Sequence, residues 1–462
     1  MQKKKILIFI DWFLPGYKAG GPVRSMANMV EYLKDEYDFY IITRNTDYTE
    51  TTAYTSVKSN CWEEYISGVQ VFYADFDHQN KATFKSLIEE VKANVIYVNG
   101  VYSWKFSILP LVVARKAKVN KTIVASRGML AQSAIDVKGR KKRLFLKLAK
   151  LAGLYKNVVF HATNEKEEQD IKKGLGPDSY RGGLKVLVAD NLPKRELPEI
   201  KTLEKRSGEL KLVSLARIAP EKNTLFALER LLELGAFDNT STLPRQCLDS
   251  ASTLLGNQTR QPNSATKLGD ELRNYDWNIT FDLYGQIYDE DYWRECEGVI
   301  KQLPANIEVN YKGTVDAELV GETIQNYHAL YMPTRGENFG HVILESLSAG
   351  RPVLISDQTP WRGLENIRAG WDISLESEVR SSKSAVYDLE NTRYENACRA
   401  QSRQGGKGND DTRKKTWCSV LSALVQMEQE EFDVWCEGAR NRAEEFVSDE
   451  KLQEQYYHLF DT

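Results

Sequence analysis

The sequence lacks both a long hydrophobic segment and closely spaced cysteines. No apolar run in its 462 residues approaches the ~18 residues that a transmembrane helix requires. The six cysteines, at positions 61, 247, 296, 398, 418 and 436, include no CxxC pair, which argues against a zinc ribbon or a disulfide framework and indicates free thiols. The basic opening MQKKKILIFID has an apolar run that ends at Asp11, too short for a signal peptide, so we expect a cytoplasmic protein.

A strong excess of one charge is also absent. The net charge is −3, so no overall field favours a nucleic-acid partner. The 462 residues, 42% of them hydrophobic, suffice for two domains with separate cores, since a domain usually holds ~100–200 residues. Residues 191–209 contain two prolines and many charges without helix or strand periodicity. We therefore predict a first domain over 1–195, a linker over 196–209 and a second domain over 210–448.

The amino-terminal half opens with a strand, a glycine loop and a helix. Residues 6–10 form a continuous apolar run, as expected of a parallel strand buried on both faces. Gly20 and Gly21 follow in a loop, and Pro22 suits the first turn of the next helix. These glycines could bring backbone N–H groups near a phosphate or a sugar, or they could form a mere tight turn. The loop is not GxGxxG, which disfavours a nicotinamide cofactor.

Further short strands alternate with helix-like stretches, which is an α/β signature. The predicted strands cover residues 40–43, 69–73, 95–98, 122–125 and 158–161. Several of them run directly into polar residues, including Asn99, Arg127 and Thr163. Because the carboxyl ends of parallel strands meet at one edge of a sheet, we expect these side chains to line one cleft.

The stretch ALYMPTRGENFGHVILESLSAGRPVLI at 329–355 predicts a second strand, loop, helix and strand unit. The helix should run from about residue 341 to 349 and end at Gly350, and its amino terminus favours an anion. Glu337 and Glu345 would repel a phosphate, so we assign them to neutral hydroxyls beside it, as a nucleotide sugar offers on both sides of its diphosphate. The alternative is a loop charge and a solvated helix residue.

Two cations lie at another turn between a strand and a helix. The strand at 210–215 is followed by ARIAPEKN, which carries Arg217 and Lys222. The planar guanidinium of Arg can donate two parallel hydrogen bonds, and the ammonium of Lys acts as a point charge. Together they are well matched to a diphosphate. Two more predicted strands, 279–284 and 307–311, end at Gly285 and at Lys312, Gly313 and Thr314.

A strongly basic helix is predicted between Lys138 and Lys156. This segment holds eight Lys or Arg and no acid. Leu144, Leu148, Leu151 and Tyr155 share the face beside the cations. Such a helix could lie on anionic lipid, or it could be a solvated basic face over an ordinary core stripe, and the pattern is compatible with both.

In this order along the chain, the motifs ARIAPEKN, FDLYG, YKGTV and MPTRGENFGHVILESLSAGRPVLISD resemble those of the retaining family-four glycosyltransferases. The resemblance is strongest over residues 211–375 and weaker in the amino-terminal half. It implies the GT-B fold, an α/β architecture of two Rossmann-like domains that face each other across a cleft. Arg217, Lys222 and Glu337 would be catalytic, with the two cations on the donor diphosphate and Glu337 on the donor sugar.

Further site residues follow from the same resemblance and from the strand ends described above. The backbone of 338–340 would hold the donor sugar, Glu345 the ribose, and Gly20 and Gly21 would lie near the leaving phosphate. Contact with the acceptor or sugar is expected of Asn99, Arg127 and Thr163. The donor-binding set is predicted as Gly20, Gly21, Gly285, Gly313, Thr314, Asn338, Phe339, Gly340 and Glu345.

The chain departs from the family pattern at three places. Many relatives carry a donor-contacting His where this sequence has Arg127 in ASRGML. Polar stretches near 236–276 and 376–415 are predicted to be insertions. In the family the last helix often crosses back onto the first domain, so residues 449–462 could do so here.

The resemblance implies a retaining, metal-independent hexosyltransferase without a cofactor. The donor would be a nucleoside-diphosphate sugar, and the acceptor a glycan or lipid-linked glycan in bacterial surface polysaccharide synthesis. The basic segment would place the enzyme on the inner face of the cell membrane. Two alternatives remain open, a GT-B-like sugar-nucleotide epimerase and a non-catalytic protein that binds a nucleotide sugar.

Overall fold

The computed structural model describes residues 3–117, 119–131, 139–176, 183–239, 277–316, 318–378 and 415–461. The chain divides into two compact units, of which the first comprises Met1–Leu197, Asn338–His341 and Glu445–Thr462. The second comprises Pro198–Glu337 and Val342–Glu444. Most of each predicted insertion lies outside the described residues.

The first unit is built on a parallel sheet with one antiparallel edge strand. In the described residues its order is β3-β4-β2-β1-β5-β6-β7-β8, and β3 pairs antiparallel with β4. The strands are β1 Lys4–Phe9, β2 Tyr37–Arg44, β3 Trp62–Ile66, β4 Val69–Ala74, β5 Val95–Asn99, β6 Lys121–Ala125, β7 Val159–Ala162 and β8 Lys185–Val188. The helices between them are α1 Gly21–Leu33, α2 Lys81–Val91, α3 Leu109–Ala114, α4 Gly139–Leu151 and α5 Glu165–Leu175, with a π-helical turn at Trp104–Ile108.

The second unit contains a fully parallel sheet in the order β11-β10-β9-β12-β13-β14. Its strands are β9 Glu209–Leu215, β10 Asn278–Tyr284, β11 Ile307–Gly313, β12 Ala329–Met332, β13 Val353–Ser356 and β14 Gly370–Ile373. Its helices are α6 Thr224–Asn239, α7 Glu290–Ile300, α8 Val320–Ile324, α9 His341–Ser348, α10 Trp417–Gln426 and α11 Gln429–Val447, with 3₁₀ turns at Leu364–Ile367 and Leu375–Glu378. The end of α11, from Glu445 onward, and the last helix, α12 Lys451–Asp461, belong to the first unit.

Continuous apolar runs place the central strands of both sheets in a buried layer. In β1, the side chains of residues 6–9 are fully buried, as is all of β12 apart from 1% of Met332. Helix α12 contributes to the core of the first unit, where Phe460 packs against Tyr37 at 5.3 Å between ring centroids and Tyr456 is buried beside it. In the second unit, Trp371 and Trp435 stack with their centroids 4.0 Å apart.

The outward face of α4 is partly apolar. Leu144, Leu148 and Leu151 are 58%, 56% and 83% exposed, whereas Leu146 and Ala149 of the same helix are buried. The prediction of a core stripe is therefore wrong for these three leucines, because the core contacts of the helix come from a different side. It is confirmed for Tyr155, which is buried beyond the end of the helix. Among the described helices, none is long and apolar enough to cross a membrane.

Candidate functional site

Two loops of the second unit are fastened to each other by hydrogen bonds. One follows β9 and the other follows β12, so both lie at the carboxyl edge of the sheet. Asn223 Nδ2 donates to the Pro333 carbonyl at 3.0 Å, and Asn223 Oδ1 accepts from Arg335 Nε at 3.2 Å. The Glu221 carbonyl accepts from Arg335 N at 2.9 Å and from Thr334 Oγ1 at 3.1 Å. These bonds fix the position of the residues that the loops carry.

The two loops bring Lys222 and Glu337 together. Lys222 Nζ donates to Glu337 Oε1 in an ion pair whose side chains are only 17% and 15% exposed. Glu337 N donates to the Gln358 carbonyl at 3.1 Å, which holds the backbone beside the carboxylate. The cation of such a pair can bind a phosphate while the anion accepts from a hydroxyl beside it. Each charge offsets the electrostatic field of the other, which reduces the cost of holding both groups at low exposure.

Arg217 lies in the same loop as Lys222 but nearer to solvent. Its side chain is 41% exposed, its guanidinium carbon lies 4.9 Å from the ring centroid of Tyr288, and its NH2 group lies 3.6 Å from Glu221 Oε1. The planar guanidinium therefore rests on an aromatic face with its edge accessible.

Gly285 is required by the close approach of two backbone segments. It has φ of +142°, and a Cβ there would lie 1.9 Å from the Ala216 carbonyl oxygen. Its N–H donates to the Gly313 carbonyl at 2.7 Å. The glycine thus lets the ends of β9, β10 and β11 converge beside Arg217. Thr314, which follows β11, is exposed.

Helix α9 starts directly after the Glu337 loop. Gly340 precedes it with φ of +79°, and Gly350 follows its last turn with φ of +67°, as the sequence predicts for a terminal glycine. Ile343, Leu344 and Leu347 are buried, while Glu345 is half-buried. The apolar side of the helix is therefore anchored, and Glu345 lies eight residues after Glu337.

In the first unit, Glu167 is the centre of a buried polar cluster. Its Oε1 accepts from Ser126 Oγ at 2.5 Å and from Gly128 N at 2.6 Å. Its Oε2 accepts from Thr163 N at 2.8 Å, from Thr163 Oγ1 at 2.6 Å and from Asn338 Nδ2 at 3.2 Å. Burial alone would raise the pKa of Glu167, but these hydrogen bonds outweigh it and hold the pKa below its ordinary value.

Asn338 joins the same cluster. Its Nδ2 also donates to Thr163 Oγ1 at 2.6 Å, and its carbonyl accepts from Asn164 Nδ2 at 2.9 Å. The Thr163 hydroxyl, which the sequence suggests as an acceptor or sugar contact, therefore already bridges Glu167 and Asn338.

Arg127 lies in a second network and adopts φ of +50°, in the left-handed region. Nε donates to Asn99 Oδ1 at 2.8 Å, NH1 to Asn191 Oδ1 at 2.6 Å and NH2 to Tyr97 Oη at 3.0 Å. The structure thus brings Asn99 and Arg127 together, as the sequence predicts for strand ends at one edge. The guanidinium is held by three donated hydrogen bonds.

The network continues from Tyr97 to His161. Tyr97 Oη lies 2.7 Å from His161 Nδ1, and His161 Nε2 lies 2.7 Å from the Ala189 carbonyl. A carbonyl can only accept, so Nε2 carries the proton and the Tyr97 hydroxyl donates to Nδ1. Burial, together with the charge of Arg127, lowers the pKa of His161 to about 4, and burial raises the pKa of Tyr97 to about 12. Both groups are neutral near pH 7.

The glycine loop at the start of α1 has the local structure that the sequence predicts. Gly20 has φ of +72° and precedes the helix, and a Cβ at either Gly20 or Gly21 would meet no heavy atom within 4 Å. One turn further, Ser25 Oγ lies 2.6 Å from His341 Nε2. Burial, followed by the charges of Arg24 and Arg127, lowers the pKa of His341 to about 3.

Several residues of these clusters were not found by sequence reasoning. A signal existed for Glu167, because it lies three residues after Asn164, whose Oδ1 accepts from Glu167 N at 2.8 Å to cap α5. His161 is a polar residue inside an otherwise apolar strand. Nothing in the sequence distinguishes Asn191 or His341. No group of three or more potential ligands that could hold a metal ion occurs among the residues described.

Comparison with known proteins extends this picture. The family model for glycosyl transferases group 1 matches residues 265–364, which include Glu337 and Glu345. None of the curated protein sequences matches the chain.

Solved structures with the same fold include three that align over nearly the whole chain. Sucrose-phosphate synthase from Thermosynechococcus elongatus has a TM-score of 0.59 at 12% identity, covering 100% of this chain and 98% of that one. Anabaena HepE in complex with UDP and glucose has a TM-score of 0.55 at 12% identity, with 99% of each chain covered. WaaG, a glycosyltransferase involved in lipopolysaccharide biosynthesis, has a TM-score of 0.51 at 13% identity, covering 99% and 98%.

These likenesses confirm the fold and the resemblance that the motifs predict. Identities of 12–13% establish common architecture only. The protein has the GT-B fold of two parallel-sheet α/β units, and its sequence resembles that of the glycosyl transferases group 1.

Proposed function

We propose that the protein transfers a hexose-type sugar from a nucleoside-diphosphate sugar to a glycan or lipid-linked glycan. The observation that carries this proposal is the Lys222–Glu337 ion pair, held at low exposure by two interlocked loops at the carboxyl edge of the second sheet. A nucleotide sugar presents phosphate and hydroxyl groups close together, and this pair offers a partner for each.

The role of each residue follows from its charge and position. Lys222 and Arg217 bind the diphosphate, Glu337 accepts hydrogen bonds from sugar hydroxyls, and Glu345 accepts from the ribose. When the bond between the sugar and the diphosphate breaks, its electron pair goes to the terminal phosphate oxygen. The two cations stabilise the negative charge that develops there.

We propose that transfer retains the configuration of the anomeric carbon and requires no metal ion. The acceptor hydroxyl attacks from the side on which the diphosphate departs, and its proton passes to the departing phosphate oxygen. No protein side chain is then required as a general base. The cations of the β9 loop supply the charge stabilisation that a metal would otherwise give.

Product analysis with a panel of nucleoside-diphosphate sugars and glycan acceptors tests the proposal. A glycosyltransferase releases nucleoside diphosphate and elongates the acceptor. An epimerase would instead return an altered sugar nucleotide in the absence of acceptor, and a binding protein would change neither compound while still binding the donor. Either of the last two results, across a panel that includes a bound donor, would refute the proposal.

The acceptor is proposed to lie on an anionic membrane surface that α4 contacts. Exposed Lys141, Lys147 and Lys150 accompany the exposed Leu144 and Leu148 along this helix. Cations attract anionic headgroups, while leucines between them can enter the boundary between headgroups and acyl chains. The description of WaaG as a lipopolysaccharide enzyme is compatible with a role in surface polysaccharide synthesis.

A further inference from the structure

Two strongly exposed aromatic side chains of the first unit lie outside α4 itself. Phe76 is 76% exposed and Trp104 is 67% exposed, and both follow the carboxyl ends of sheet strands, β4 and β5 respectively. Single exposed apolar residues are ordinary on protein surfaces. These two differ because each is presented by a well-bonded turn and because a lysine joins them.

The turn that carries Phe76 is fixed on both sides. Asp75 Oδ2 accepts from Asn60 Nδ2 at 2.7 Å, and Asp75 Oδ1 accepts from His78 N at 2.9 Å. Gln79 Nε2 donates to the Ala74 carbonyl at 3.0 Å. The hydrogen bonds from Asn60, followed by those from His78, lower the pKa of Asp75 to about 2, so these contacts persist at neutral pH. The exposure of Phe76 is therefore not a result of a loosely held loop.

Trp104 is displayed in a similar way. Ser103 caps the π-helical turn by accepting from Phe106 N at 3.2 Å, and its hydroxyl donates to Asp11 Oδ1 at 2.8 Å. Phe106 is buried and packs against Phe84 with ring centroids 5.7 Å apart. The turn is thus anchored in the core while its first side chain points outward.

Lys105 connects the two aromatic turns. Its Nζ lies 3.5 Å from the ring centroid of Phe76 and donates to the Phe76 carbonyl at 3.3 Å. Burial, and then the charge of Arg44, lowers the pKa of Lys105, while Asp77 acts in the opposite direction. Phe76, Trp104 and Lys105 therefore form one aromatic and cationic group, which we call the aromatic loop pair.

The aromatic loop pair borders α4. Tyr102 packs against Phe145 of α4 with ring centroids 5.5 Å apart, and Lys142 of α4 lies 5.3 Å from the Tyr102 ring. Trp104 follows Tyr102 by two residues, so their Cα atoms are at most about 7.6 Å apart. The turn that carries Trp104 consequently lies close to α4, and Lys105 of that turn contacts Phe76.

We propose that the aromatic loop pair is a second membrane anchor, in which Phe76 and Trp104 enter the interfacial layer of the anionic bilayer that α4 contacts. This inference rests on the membrane surface given in the proposed function. Trp is favoured at the interface between headgroups and acyl chains, where an apolar ring and a polar N–H are both satisfied. Lys105 and the cations of α4 complement anionic headgroups. Partial insertion of two aromatic rings contributes binding that salt does not screen.

The double variant Phe76→Ser/Trp104→Ser tests the second anchor by sedimentation of the full-length protein with vesicles of phosphatidylcholine and phosphatidylglycerol. Roughly 1 M salt reduces the Debye length to about 3 Å and removes most of the contribution of α4 cations. Under those conditions we expect the wild type to keep a measurable partition coefficient. The partition coefficient of the variant should be at least about tenfold lower, because two aromatic side chains no longer become buried in the bilayer. The matched control is Leu319→Ser/Ile367→Ser, which changes two exposed apolar residues of the second unit.

Equal partitioning of the variant and wild type at high salt overturns the second anchor, as does absence of wild-type binding at both salt concentrations. Vesicle binding that is unchanged while use of a water-soluble glycan acceptor falls would show that the aromatic loop pair binds sugar instead, which also refutes the proposal. Affinity for nucleoside diphosphates, measured on the same samples, reports separately on the proposed function, so the two failures are distinguishable. Cooperative thermal unfolding of each variant shows that it is folded.

Discussion

Lys222 and Glu337 neutralise each other at low exposure, and this pairing governs how either residue can act. In the proposed complex, removing the lysine deletes a phosphate partner and also leaves Glu337 as an uncompensated anion beside the diphosphate. Removing Arg217 deletes only one proposed phosphate partner, and the field of this more exposed side chain is already screened by solvent. The two cations of this loop should therefore differ in importance.

We predict that Lys222→Ala weakens nucleoside-diphosphate binding by about 1.5–3 kcal/mol, the usual contribution of a hydrogen bond to a charged group. Titration calorimetry measures the change. Lys201→Ala is the matched control, because Lys201 also pairs with a glutamate in the second unit but is largely exposed. An affinity equal to wild type in Lys222→Ala would remove this residue from the phosphate site.

Glu167 makes a second prediction at the residue scale. Its pKa is depressed in the folded protein, so its contribution to stability is present above the unfolded pKa and is lost as pH falls through the folded value. Glu167→Gln should lower stability near pH 7 by about 1–3 kcal/mol, because an amide cannot accept from all the donors that face this carboxylate. It should also reduce the loss of stability on acidification.

Denaturant unfolding at several pH values measures both effects. Glu168→Gln is the matched control, since Glu168 is adjacent and pairs with Lys172 at the surface. If the stability of Glu167→Gln depends on pH as that of the wild type does, these hydrogen bonds do not stabilise Glu167 as an anion.

At the scale of elements, the sequence was most informative where burial is one-sided or complete. The apolar runs of β1, β9 and β12 predicted central strands, and Gly350 predicted the end of α9. Strand β3 was not predicted because WEEYI is only partly buried at an antiparallel edge. Strand β14 was missed because GWDI begins with a glycine, where a Cβ would lie 2.2 Å from the Val353 carbonyl oxygen.

The residues of the candidate site also differ in how far the sequence predicts them. Glycines and charges beside strand ends are visible in sequence, whereas contacts between distant segments are not. The capping residue Asn164 marks the position of Glu167, but only tertiary packing shows that this glutamate is buried while Glu165 is exposed. Tertiary packing likewise decided which side of α4 enters the core, and it left Leu144 and Leu148 outside.

Helix α4 carries the prediction at this scale. Lys141→Glu/Lys147→Glu/Lys150→Glu should abolish sedimentation with anionic vesicles at low salt, because each cation near an anionic surface contributes about 1 kcal/mol and reversal makes that contribution repulsive. Lys81→Glu/Lys85→Glu/Lys92→Glu reverses three exposed cations in and after α2 and serves as the control. Undiminished sedimentation of the α4 variant would show that the helix is a solvated face.

At the scale of the whole molecule, each unit has its own sheet and core. The residues proposed to bind the diphosphate and the sugar, Lys222 and Glu337, lie in the second unit. The likeness to sucrose-phosphate synthase, HepE and WaaG establishes the fold, which hosts many different donors and acceptors. The claim of sugar transfer therefore depends on the Lys222 and Glu337 loops rather than on architecture.

The most direct test of the central claim is NMR analysis of the product formed from a nucleotide sugar with an α-linked anomeric carbon. We predict release of nucleoside diphosphate, one new glycosidic linkage on the acceptor and an α configuration from the first turnovers onward, with little product from Lys222→Ala. A β-linked product would contradict the retaining mechanism. Conversion of the donor to a different sugar nucleotide, without a new linkage, would contradict glycosyl transfer itself.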